Sequence, residues 1–315
     1  MAGLEEYFKR VIEFPGVVRH PEEAKFTALN EAGSKALVEQ ESEFQRILFL
    51  ETPNDEVMLL LDGELQFYSA DEHRYHESLT IVPFLFRKQP VRLVGVMGGG
   101  DGLVARELLR HFGDELESIR VVDIDPAVTE LARTHPRLVE LNEGSLLDER
   151  VEVINADAVT YRSDRPFDLI ICDLPDPTSR ALANLYTREY YEHLRSQLAP
   201  GGLLSLQIVY FQPLFDGLLT TLRGVFQHVS EYSVGMYSFV RVGFALCARD
   251  GLERCRDLPS GTRYLTPEVV DWLFYFPPDE PRLEMSAPST AADPKVLEWY
   301  EAYLRDQLPE RILFY

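Results

Sequence analysis

The sequence predicts an α/β fold of the Rossmann type, preceded by a small antiparallel β domain. Three observations carry that prediction. Near-continuous apolar runs at 91–97, 119–124, 151–154, 167–172 and 203–208 alternate with helical stretches, as in a parallel sheet covered on both faces. The first run leads straight into Gly98-Gly99-Gly100-Asp101-Gly102 and an amphipathic LVARELLRHF segment, a strand, glycine loop and helix in succession. Further upstream, short β-type runs at 44–50, 56–61 and 64–68 follow one another, and Asp62-Gly63 between the last two is a type I′ hairpin signal.

Taken in order, residues 1–40 are polar and mixed, with a Pro15-Gly16 break. Residues 41–88 are expected to form the small β domain, its strands ending near 70, and residues 89–250 the Rossmann-like domain. Gly201-Gly202 is read as the turn before the fifth parallel strand, with two more strands near 228–234 and 241–248. Residues 251–315 are expected to form a helical extension, with helices at 267–275 and 294–308 split by Pro277-Pro278. No internal repeat or low-complexity tract is visible.

A chain of 315 residues, 45% hydrophobic and 11% aromatic, is long and apolar enough for one large α/β domain with a smaller partner. Its net charge of -21 repels nucleic acid and anionic membranes and attracts cations. Acidic surfaces also serve solubility, so charge argues for a cationic substrate only where a pocket shares the bias. No nucleic-acid or membrane partner is expected. Cys172 and Cys247 sit in apolar runs, and with Cys255 they fit neither a zinc motif nor a disulfide framework. They are expected to be reduced thiols of a cytoplasmic protein, and no metal is expected. Glu5, Glu6, Lys9 and Arg10 interrupt any leader-like apolar start, and no run approaches the ~18 apolar residues of a membrane span.

The glycine loop brings backbone close to a ligand and aims helix N–H groups at it. Gly100, Gly102 and Ala105 also satisfy a dinucleotide fingerprint, so glycines alone leave NAD open. Three acids narrow the choice. Asp123 ends the second strand, where a carboxylate accepts both hydroxyls of a ribose; the alternative is a solvated strand end. Asp157, just past the third strand, is placed to accept from an adenine amino group or simply to cap its own loop. Asp101 is the odd residue, because an acid in a loop whose dipoles favour anions suits an ammonium or sulfonium rather than a phosphate. The combination predicts a class I S-adenosylmethionine-dependent transferase fold.

The fourth strand ends in Cys172-Asp173-Leu174-Pro175-Asp176-Pro177. Ligands of open α/β sheets lie outside the carboxyl ends of the strands, so Asp173 is expected to face the same crevice as Asp101. The prolines restrict the backbone around both acids. An amine of pKa ~10 must lose a proton before it attacks carbon, and a carboxylate within reach can take it. Asp173 is the candidate base, and turn capping is the alternative for Asp176.

These residues resemble the spermidine synthases (polyamine aminopropyltransferases) over roughly residues 41–248. The matching pieces are Ser42-Glu43-Phe44-Gln45, Leu61-Asp62-Gly63-Glu64-Leu65-Gln66, Asp71-Glu72-His73-Arg74-Tyr75-His76-Glu77, the glycine loop, and Asp173 through Pro177. The resemblance implies that Gln45, His76, Asp101, Asp123 and Asp157 bind decarboxylated S-adenosylmethionine, and Gly98 and Gly100 of the glycine loop are candidate nucleotide-binding residues beside them. It implies that Gln66, Tyr75 and Asp176 line the side of a small cationic amine, that Asp173 is the catalytic base, and that the protein is a homodimer.

Two departures stand out. The family usually has Asp-Ser-Ser-Asp-Pro where this chain has Asp-Leu-Pro-Asp-Pro, and Tyr-Pro-Ser-Gly-x-x-Gly-Phe where it has Tyr237-Ser238-Phe239-Val240-Arg241-Val242-Gly243-Phe244. The Leu-Pro variant and the tail Arg263-Tyr264-Leu265-Thr266-Pro267 look like the soluble domain of membrane-anchored bacterial spermidine-synthase-like proteins, whose membrane part is not expected here. Tyr237 and Arg241 are candidate acceptor residues. Arg241 either pairs with a carboxylate, on an amino-acid-like acceptor or on undecarboxylated S-adenosylmethionine, or points outward to surface acids. Transfer of an aminopropyl or related 3-carbon group to an amine, from decarboxylated S-adenosylmethionine or S-adenosylmethionine as co-substrate, leads; a methyltransferase on the same fold comes second, and a non-catalytic nucleotide-binding module third.

Overall fold

The computed structural model describes residues 33–306. Most of the expected 1–40 segment, and residues 307–315, lie outside them. The chain divides into two compact units, one of Met1–Glu72 with Glu301–Tyr315 and one of His73–Tyr300.

The described part of the first unit holds a four-stranded antiparallel sheet in the order β1-β2-β3-β4, formed by Lys35–Glu41, Arg46–Glu51, Val57–Leu61 and Glu64–Tyr68. Leu48, Leu50, Met58, Leu60 and Tyr68 form a buried cluster on it. Asp62 (φ 49°) and Gly63 (φ 74°) both occupy the left-handed region, as a type I′ turn requires. The Asp62 carboxylate also accepts from Arg46 N at 2.8 Å. β1 begins at Lys35, earlier than the expected start of this domain. Its sequence KALVEQE has no buried position, so an edge strand held by ladder hydrogen bonds to β2 leaves no hydrophobic alternation to read.

The second unit carries a seven-stranded sheet in the order β10-β11-β9-β8-β5-β6-β7. Leu93–Gly98 (β5), Ser118–Asp123 (β6), Val151–Asn155 (β7), Phe167–Asp173 (β8) and Leu198–Ile208 (β9) run parallel; His228–Met236 (β10) and Val240–Ala248 (β11) are antiparallel additions. The order reverses between β5 and β8. The carboxyl ends of these two strands therefore border the crevice where doubly wound sheets bind ligands. The interior is continuous and apolar, with Met97, Phe167, Ile170, Leu204, Phe215 and Leu218 among its buried members.

The structure departs from the sequence reading at two places in this unit. Gly201-Gly202 is not a turn before β9 but a kink inside it, where the pairing with β8 slips between Phe167 and Leu169. Gly201 (φ +68°) lets the Arg87 and Gln89 side chains come within 3.0 Å of where a Cβ would stand. The unit also starts at His73 rather than near residue 89. The helix Glu72–Leu85 is tied to the sheet by Ser205 Oγ donating to Leu79 O (2.9 Å) and Tyr232 Oη donating to Ser78 O (3.1 Å).

Residues 251–300 belong to this same unit. The fully buried Glu77 carboxylate accepts three backbone N–H groups, from Arg263 (2.6 Å), Tyr264 (3.0 Å) and Leu265 (3.0 Å). The segment continues into a Thr266-capped helix, Pro267–Leu273, and later into the helix Lys295–Asp306. Among the described residues no helix is long and apolar enough to cross a membrane.

Candidate nucleotide and amine site

Gly98 ends β5 directly beside Asp173, the last residue of β8. It adopts φ +81°, and a Cβ there would run into the Asp173 carbonyl. The loop then turns through Gly99 (φ +68°) to Gly100, whose missing Cβ leaves room for the Asp123 carboxylate, 2.5 Å from where that atom would stand. Gly100 N donates to Asp123 Oδ2 and Asp125 N to Asp123 Oδ1, both at 2.9 Å. These bonds fix the carboxylate at the end of β6 with outward lone pairs to spare. Burial nevertheless pushes its pKa up to about 6, beyond what the two backbone donors offset, and the charges of Asp125 and Asp173 add to the rise.

A titration follows from that shift. A nucleoside whose ribose hydroxyls donate to ionised Asp123 should bind fully above pH 7 and lose affinity as pH falls through about 6. The unliganded fold responds in the opposite sense, because a carboxyl raised from 3.8 destabilises it as pH rises through that window. Calorimetric titration with methylthioadenosine between pH 5 and 8 checks the first statement. An Asp123→Asn variant should show weak, pH-independent binding.

Asp101 is 8% exposed. Its Oδ1 accepts from Leu103 N at 2.9 Å, at the start of the helix Leu103–Phe112, and Asn142 Nδ2 holds its carbonyl at 2.9 Å. His76, 2% exposed, enters from the helix Glu72–Leu85. Ligating atoms of His76, Asp101 and Asp173 all lie within 4.8 Å of one another. Tyr75 Oη donates to Asp173 Oδ1 at 2.6 Å, and its ring packs edge-on against His76 (5.0 Å) and tilted against Phe244 (5.4 Å). Burial and then the Asp173 charge push the Tyr75 phenol far above its usual range, so it stays protonated and donates. Two carboxylates and an imidazole converging in a partly buried crevice make a site suited to a positive charge. With one oxygen of each acid already engaged, the arrangement fits an ammonium or sulfonium, which asks for directed acceptors and no closed ligand shell.

Asp176 follows on the loop after β8. Gln207 Nε2 of β9 reaches its Oδ1 at a long 3.5 Å, and Gln207 Oε1 is buried without a hydrogen-bond partner. Tyr237, 70% exposed, sits on the β10–β11 hairpin, where Arg74 donates to its hydroxyl (3.0 Å) and to Gly235 O (3.3 Å). Arg241 lies on the opposite face of β11 from Phe244. Its Nε donates to Ser233 Oγ at 3.0 Å, its guanidinium covers the Tyr210 ring at 4.0 Å, and Glu280 is 3.8 Å away. Asp157 is exposed, and its Oδ1 accepts from Val159 N at 2.8 Å, the geometry of a loop cap. Gln45 and Gln66 belong to the first unit. Gln45 closes a turn with Ser42, its N–H donating to Ser42 Oγ at 3.0 Å, and Gln66 Nε2 donates to Glu64 O at 3.0 Å.

The structure thus brings together Gly98, Gly100, Asp101, Asp123, Tyr75, His76 and Asp173. The sequence reading assigned no role to Arg74, Glu77, Tyr186, Gln207 or Phe244. Glu77 and Arg74 stood in a quoted motif, but their partners lie more than 150 residues away.

A strand, glycine loop and helix, with a carboxylate held at the end of β6 and a cluster of acids at the switch point, define a protein of the Rossmann-like class. Comparison with known proteins narrows this class. Residues 72–252 match the spermine/spermidine synthase domain, and the chain belongs to that family. It is 36% identical over 272 residues to a polyamine aminopropyltransferase of Oceanobacillus iheyensis, covering 83% of this chain and 52% of that protein. It is 42% identical over 265 residues to polyamine aminopropyltransferase 1 of Streptomyces coelicolor, covering 81% and 48%. The chain spans about half the length of these curated relatives. Among solved structures it is similar to a spermidine synthase in complex with the transition-state analogue AdoDATO, with a TM-score of 0.70 and 27% identity, covering 77% of this chain and 86% of that one. The spermidine synthase from Thermotoga maritima gives a TM-score of 0.69 at 28% identity, covering 77% and 85%.

Proposed function

We propose that the protein transfers an aminopropyl group from decarboxylated S-adenosylmethionine to an amine acceptor. The observation that carries this reading is the convergence of His76, Asp101 and Asp173, with Tyr75 on Asp173, next to a carboxylate shaped for a ribose. The donor supplies a carbon activated by its sulfonium and a neutral thioether as leaving group. Asp123 accepts both ribose hydroxyls, and the glycine loop admits the nucleoside against the backbone. Asp101 holds the ammonium of the aminopropyl arm. Asp173, oriented by Tyr75, takes the proton from the attacking nitrogen as the C–N bond forms and the C–S bond breaks; Asp176 holds the acceptor's far end. An α-carboxylate on the donor would be brought towards Asp101 and Asp173, and that repulsion favours the decarboxylated form.

Gln45, Gln66 and Asp157 keep the roles the resemblance implies, and Tyr237 and Arg241 are assigned to the acceptor. The Asp173-Leu174-Pro175-Asp176-Pro177 loop and the Arg263–Pro267 tail support placement beside the membrane-anchored bacterial members, and the free cysteines fit a cytoplasmic setting. A homodimer completes the reading.

Product analysis tests it. Incubated with a panel of diamines and carboxylated amines, the protein should release methylthioadenosine from decarboxylated S-adenosylmethionine and little from S-adenosylmethionine. Release of adenosylhomocysteine instead would move the protein to the methyltransferases. Neither product with any acceptor would leave a nucleotide-binding module.

A further inference from the structure

We infer that Tyr186 is a positioning residue that sets the spacing of Asp173 and Asp176 and thereby governs acceptor binding; this rests on the function proposed above. The loop joining the two acids is short and unusually stiff. Leu174 and Asp176 each precede a proline and are thereby confined to extended backbone. Pro175 has a fixed φ and, like Pro177, no N–H. Stiffness alone does not aim a side chain, because the peptide planes between the acids still turn about ψ.

Tyr186 addresses those planes. Its hydroxyl donates to Pro175 O at 2.7 Å, with Leu174 O at 3.4 Å in the same direction. These two carbonyls belong to the Leu174–Pro175 and Pro175–Asp176 peptides, so one hydroxyl addresses two of the three peptides between the acids. The Pro175–Asp176 plane leads directly into the Asp176 side chain.

The donor itself is anchored. Tyr186 ends a 3-10 turn, Asn184–Tyr186, that follows the Ser179-capped helix Arg180–Ala183. The next residue, Thr187, caps the helix Arg188–Ser196 by accepting from Tyr190 N at 3.3 Å. The ring is 2% exposed in the main core. Burial and then the charge of Asp176 push the phenol far above its usual range, so it remains a donor wherever the enzyme works. The hydroxyl bonds the loop on the Asp176 side of Asp173 and neither the glycine loop nor Asp123, so its loss should bear first on the amine side.

Tyr186→Phe tests this, since it removes the hydroxyl and keeps the ring. Loss of one buried hydrogen bond should raise KM for the amine about 5- to 20-fold, change kcat less, and leave methylthioadenosine affinity within twofold by calorimetry. Tyr186→Phe placed on Pro175→Ala should raise KM by more than the product of the two single effects, because the freed peptide then depends on the tether. Should Tyr186→Phe fail to fold, Pro175→Ala alone should still raise the amine KM with nucleoside affinity kept. An unchanged amine KM, or nucleoside affinity falling in parallel with it, would overturn the inference. An unmodified protein that forms no methylthioadenosine with any amine would refute the proposed function instead, and the two failures are thus read separately.

Discussion

Asp173→Asn is expected to lower turnover by roughly 10²–10⁴, the worth of a well-placed base, while methylthioadenosine binds almost as before. The substitution keeps a carbonyl oxygen to accept from Tyr75 Oη, now 2.6 Å from Asp173 Oδ1, so the geometry survives and only the proton acceptor is lost. The sign of the pH dependence distinguishes this from a packing defect. At neutral pH an amine of pKa ~10 arrives protonated, and the variant has nothing to relieve it of the proton. As pH rises towards that value the free amine becomes common, and the gap between variant and unmodified protein should narrow. Steady-state rates from pH 7 to 10 check this. A gap that stays constant would assign Asp173 to orientation, and a variant with normal turnover at pH 7 would remove it from the mechanism.

The largest structural effect is expected at Gly98. Gly98→Ala forces a side chain into the left-handed region, at ~1–2 kcal/mol, and drives its Cβ into the Asp173 carbonyl. Neither partner can retreat, because Gly98 and Asp173 are register partners at the ends of two adjacent central strands. Overpacking of this kind adds about 1–3 kcal/mol, for a total near 2–5 kcal/mol and a melting point lower by roughly 5–15 °C. Gly144→Ala is the control. Gly144 has a similar φ of +67°, but a Cβ there would meet nothing within 4 Å, so only the conformational cost of ~1–2 kcal/mol should appear. Thermal denaturation of the two variants separates strain from collision; equal losses would show that the approach to Asp173 is not what demands a glycine at 98.

The alternation of apolar strands and helices, the glycine loop and the acids at strand ends could all be read before any coordinates were known. Each is local: a strand buried on both faces must be apolar along its length, a left-handed residue favours glycine, and a residue closing a parallel strand must emerge at the carboxyl edge. That much located Asp101, Asp123 and Asp173 along one crevice and, with the quoted motifs, named the family. Other features rested on contacts between distant segments, which no local period records. β1 has no fully buried position to impose an alternation, and it is placed by its pairing with β2. The kink at Gly201 answers to Arg87 and Gln89, more than 110 residues earlier. Glu77 captures the 263–265 backbone, and Tyr186 reaches back to Pro175, each through a hydrogen bond whose partner only packing brings near. Arg241 shows the same division most plainly: its charge was evident from the sequence, but the strand face it occupies, and hence its choice of Tyr210 and Glu280, follows from how β11 pairs with β9 and β10.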